Sequence, residues 1–165
     1  MSATSNQDYF STFIAFLNRQ EYYIKGFSTG LKSNAKLTAM ASAEDFFESD
    51  VRGGFYALRY FSEVLYEILT SGRSVTLTIR GFAARGSAYN RNLAVRRVDS
   101  VINHFRNFDG EIYRIFIASG QLVLQSEIIT TPQGPYNSAN SMFDPKIMRE
   151  HRVEITGMQI TSSNK

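Results

Sequence analysis

At 165 residues, with 43% hydrophobic side chains and 13 Phe and 9 Tyr but no Trp, the chain is long enough to bury one real core. The absence of Cys removes thiol catalysis, thiolate metal sites and disulfides, and two histidines, His104 and His151, argue against a multi-histidine metal centre. The net charge of +3 suits an anionic partner or, equally, a mixed solvated surface. No apolar run approaches the ~18 residues that span a bilayer, and the opening residues lack the basic and apolar stretches of a secretory leader.

Ser5 and Asp8 stand at capping-box spacing before a helical stripe of Phe10, Phe13, Ile14, Leu17, Ile24, Phe27 and Leu31, which predicts one long amphipathic helix. Ser42 and Asp45 mark a second helix start. Val51, Phe55, Leu58, Leu65, Ile68 and Leu69 continue a helical stripe that stops at Gly72, with Gly53 and Gly54 predicting a break or kink. From residue 74 the period changes. Val75, Leu77 and Ile79 alternate with Thr76, Thr78 and Arg80, as in a strand with one buried face. Residues 81–87 read as a loop, 89–105 as a helix, 112–118 and 122–131 as strands, 131–141 as a loop and 152–161 as a last strand. The expected architecture is a single α+β domain, with a helical part over 1–72 and a β-α-β-β-loop-β part over 73–161. Its mixed sheet packs against helices and contains a βαβ unit.

On the wheel of the 89–105 helix, Leu93, Ala94, Val98, Val101, Ile102 and Phe105 form the core side, and Arg97 falls inside that apolar arc. A guanidinium cannot shed its charge, so Arg97 requires either an internal acid, with Glu154 a candidate, or a ligand carboxylate held by its two-pronged donor face. Asn90 and His104 lie on the same stripe.

Gly81, Tyr89, Asn90, Leu93 and Arg97 resemble the strand–loop–helix signature of the OmpA-like (OmpA/MotB C-terminal) peptidoglycan-binding domains. The run from Ser141 to His151, Arg152, Val153, Glu154 and Ile155 is similar to the Bacteroidetes-type branch. The resemblance implies the OmpA C-terminal fold with extra N-terminal helices and a non-catalytic role without cofactor or metal. In such a role the domain anchors a larger outer-membrane-associated complex to peptidoglycan in the periplasm, as part of a longer exported protein. It further implies that a diaminopimelate carboxylate of the stem peptide meets Arg97 and the backbone amides of Phe82, Ala83, Ala84 and Arg85, with Tyr89, Asn90 and Arg152 lining the pocket. Partners would then be the stem peptide and other envelope proteins, not nucleic acid. Two departures matter. Ala84 replaces the family's loop aspartate, and the loop to Tyr89 is two residues shorter, so the ligand's ammonium end lacks a charged partner. The alternative is a scaffold for a secretion or gliding complex that no longer binds peptidoglycan.

Other signals have plainer explanations. Gly26, Ser28 and Gly30 match the spacing of a serine-hydrolase elbow but lie at a helix end rather than between strand and helix. Glu44, Asp45, Glu48 and Asp50 read as a solvated helix face. Arg85, Arg91, Arg96, Arg97 and Arg106 with Phe82 and Tyr89 have the ingredients of a nucleic-acid surface but match no recognition motif. No nucleophile–base–acid set suggests an enzyme.

Overall fold

A computed structural model of the chain describes residues 9–84, 88–131, 143–150 and 152–162. The N-terminal part folds as α1 (Tyr9–Leu17), α2 (Gln20–Ser28), α3 (Ser33–Phe46), a π-helical turn (Phe47–Arg52) and α4 (Gly53–Thr70). The β part follows as β1 (Ser74–Ala84), α5 (Ala88–Glu111), α6 (Arg114–Ala118), β2 (Leu122–Thr131), α7 (Pro145–Glu150) and β3 (Val153–Thr161). Among the described residues no helix is long and apolar enough to cross a membrane.

The sheet has the order β2-β1-β3. β1 runs parallel to β2 and antiparallel to β3, so α5 and α6 form the crossover of a βαβ unit. The α+β class, with a mixed sheet packed on helices, is therefore as the periodicity predicts. Leu65 and Leu69 of α4 meet Val75, Leu77 and Ile79 of β1, Val98, Val101 and Phe105 of α5, Tyr113 and Leu122 in one buried cluster. Each such side chain contributes roughly 1.5–3 kcal/mol by leaving water. A second cluster is aromatic. Phe13 stacks on Phe55 at 4.3 Å between ring centroids, and Phe16 lies 5.1 Å from Phe47. Of the stripe expected in the first helices, Phe13 alone is buried, Leu17, Ile24 and Phe27 are half-buried, and Phe10, Ile14 and Leu31 stay exposed, so only part of it is core.

Several expected boundaries move. The long first helix is broken between Leu17 and Gln20, and the next helix begins at Ser33 rather than Ser42. Gly53 and Gly54 do not break the helix. The irregularity comes just before them, in the π-helical turn, beside which the consecutive side chains Phe46 and Phe47 are both buried. Residues 112–118 are not a strand: Tyr113 is buried in the main core and α6 follows it, so the parallel partner of β1 is β2. Residues 81–84 are not loop either, because β1 continues to Ala84 in register with Ile128–Thr131. Ser5 and Asp8, Arg85, most of the 131–141 loop and His151 lie outside the described residues.

Candidate functional site

β1 alternates without interruption, and its odd-numbered residues face α5. Val75, Leu77, Ile79 and Ala83 are buried, and a Cβ on Gly81 would meet Val98 and Ala94 of α5. Phe82 therefore points away from α5, to the other face of the sheet. There the guanidinium carbon of Arg152 stands 4.1 Å from the Phe82 ring centroid, and the Phe82 amide donates to the Arg152 carbonyl at 3.1 Å. Arg152 also pairs with Glu154, and Arg80 with Glu127, so this face carries alternating charges along one row of the sheet.

On the helix side, Arg97 occupies the position the wheel assigns it, between Ala94, Val98 and Val101, which are all buried. Its Nη1 is buried and has no hydrogen-bond partner among the described residues. Burial pulls the guanidinium below its ordinary value, with Arg96 acting in the same direction and the neighbouring Tyr23 and Tyr89 opposing it. Glu154 is not the internal partner of Arg97, since it binds Arg152 and stands in register with Arg80 on the opposite face. Held between apolar side chains, Nη1 of Arg97 can donate to an anion, and no acceptor for it stands among the described residues.

The structure thus splits the expected pocket. Arg97 and Tyr89, the latter exposed, lie on the helix side near Tyr23 of α2, and Asn90 belongs to the same first turns of α5. Phe82 and Arg152 lie across the sheet. The backbone of Ala83 and Ala84 is inside β1, where Ala83 and Ala84 stand in register with Thr130 and Thr131, so it is ladder rather than an open loop. Arg85 is outside the described residues. Tyr23 is the neighbour that sequence reasoning missed. It sits in the aromatic stripe of the N-terminal helices, with no sequence signal linking it to α5.

Ser28 is buried and donates back to the Ile24 carbonyl at 2.9 Å, so the serine of the Gly26–Gly30 run is helix packing, not a nucleophile. Asp45 and Asp50 both bind Arg149 of α7, and Glu48 binds Arg52, so three of the four clustered acids are paired within the chain. His104 Nε2 meets Ser62 Oγ at 2.7 Å inside the core. Ser62 is fully buried, which removes this pair from nucleophilic chemistry. Two grooves of about 900 and 810 Å³ lie elsewhere, one between α1, α2, α3 and the π-helical turn, the other beside α4 and the end of α5; neither is lined by Arg97. The chain matches no family model, no curated protein and no solved structure.

Proposed function

We propose that the chain is a non-catalytic binding domain whose ligand presents a carboxylate to Arg97. The observation that carries this reading is the buried Nη1 of Arg97, which has a donor to offer and no acceptor among the described residues. A buried guanidinium nitrogen without an acceptor is expensive, and an anion that arrives from outside would satisfy it. The resemblance of Gly81, Tyr89, Asn90, Leu93 and Arg97 to the OmpA-like signature names the anion: a diaminopimelate carboxylate of a peptidoglycan stem peptide. The domain would then tether an outer-membrane-associated complex of envelope proteins to the cell wall in the periplasm. Ala84 supplies no carboxylate for the ligand's ammonium group, so binding rests on the Arg97 end.

Sedimentation with purified sacculi tests the reading. The wild-type chain should co-sediment, and Arg97→Lys, which keeps the charge and loses the two-pronged donor face, should weaken binding about tenfold or more. Failure of the wild type to sediment, or equal sedimentation of Arg97→Lys and Arg97→Ala with wild type, overturns it. One observation favours the scaffold alternative: Phe82 and Arg152 face away from Arg97, which leaves fewer groups to line a stem-peptide pocket. That alternative expects no sedimentation and retention of the chain by its envelope partners.

A further inference from the structure

β3 is an edge strand that carries almost none of the usual protection against pairing. It bonds to β1 on one side, and among the described residues no strand lies on its other side. Edge strands are commonly blunted by lysine, proline, inward-pointing charge or a bulge. From Ile155 to Thr161 the strand has no charged residue and no proline. Its one irregularity, the register shift opposite Thr78 and Ile79, leaves Thr156 unmatched and ends before Gly157. The stretch from Gly157 to Thr161 is therefore regular and uncharged, and no strand among the described residues pairs with its outer side. Met158 and Ile160 pair with Leu77 and Val75 and so point to the helix side, yet they are 42% and 40% exposed.

We propose that this edge pairs with the same edge of a second copy, antiparallel about a two-fold axis at Gln159. Self-complementarity selects the occupant. With Gln159 opposite its own mate, Met158 of one copy stands opposite Ile160 of the other, and Ile160 opposite Met158, all on the helix side. Gly157 stands opposite Thr161, and the two Gln159 amides meet on the polar face. An isologous contact requires a patch that complements itself, and this register matches apolar to apolar and polar to polar with no like charges opposed. The three strands of each copy become one six-stranded sheet, the four exposed apolar side chains cover one another, and the unpaired backbone groups are satisfied. Arg97 lies on α5 and is not used, so the pairing stands apart from the anion site.

Sedimentation velocity of the full chain across roughly 10 µM to 1 mM, the range suited to a small interface, should show a monomer–dimer shift. Gln159→Lys and Gln159→Glu each place like charges at the axis and should remain monomeric, whereas their equimolar mixture should dimerise. A monomeric wild type, a dimeric single variant or a monomeric mixture overturns the proposal. If circular dichroism shows that either charged variant has lost its fold, cysteine pairing decides. The chain has no Cys, and directly opposed antiparallel residues stand roughly 4.5–5.5 Å apart at Cα, within disulfide reach. Oxidised Gln159→Cys should cross-link into a dimer, while Val123→Cys, in the same row at the opposite edge of the sheet, should not. Equal cross-linking of the two also overturns it.

Discussion

Gly81 of β1 and Val98 of α5 approach so closely that a Cβ on Gly81 would lie 2.6 Å from Val98 Cγ2 and 3.1 Å from the carbonyl oxygen of Ala94. The missing side chain lets α5 settle onto the central strand, and it fixes the height at which Arg97 stands above the sheet. Gly81→Ala is expected to cost about 1–3 kcal/mol, because helix backbone as well as a core valine must give way. Urea unfolding of the variant checks this, and an unchanged midpoint would mean that α5 is not seated on Gly81.

The legible parts of this chain are those where one periodicity acts alone. The α5 stripe with Arg97 inside it, the alternation of Val75, Leu77 and Ile79, and the last strand could all be read directly. Residues 112–118 could not. A short apolar run fits strand or helix equally, and the decision came from Tyr113, whose hydroxyl donates to the Ser62 carbonyl far away in sequence. The pocket divides for a related reason. A loop over 81–84 lets Phe82 join Arg97. Once β1 runs to Ala84, the parity that buries Val75, Leu77 and Ile79 sends Phe82 to the other face, so the correcting signal was already in the sequence. Nothing local links Tyr23 to Arg97, and only the packing of α2 does so.

The regular part of α5 ends in consecutive left-handed residues, with φ of 45° at Asp109, 70° at Gly110 and 66° at Glu111. A Cβ at Gly110 would meet nothing within 4 Å. Gly110→Ala therefore isolates backbone strain from crowding. It should lower stability by about 1–2 kcal/mol with no change in the cooperativity of unfolding, read as a shifted urea midpoint at constant slope.

Stability should fall in alkali. Burial raises the Tyr113 phenol well above its ordinary 10.0; Glu63, Asp109 and the Tyr66 phenol push it further, and the Tyr66 backbone opposes them. Burial also raises Tyr9. The folded chain holds protons that the unfolded chain releases above pH 10.0, so the stabilisation is intact below that pH and declines as pH rises through it. Each group contributes a slope of up to about 1.4 kcal/mol per pH unit. Thermal unfolding followed from neutral pH into this range should show the decline, and Tyr113→Phe should flatten it while lowering the starting stability through loss of the bond to Ser62.

Arg97→Met separates a residue kept for binding from one kept for folding. A structural ion pair loses several kcal/mol when one partner is removed, because the other charge is left buried alone. The buried Nη1 of Arg97 has no hydrogen-bond partner among the described residues, and the group already carries a desolvation cost. A methionine of similar length fills the apolar arc between Ala94, Val98 and Val101 without that cost. The urea midpoint should therefore stay level or rise, while co-sedimentation with sacculi is lost. A loss of about 3 kcal/mol or more would instead show that Arg97 is bound to an acid of the chain, and the anion-site reading would fall with it.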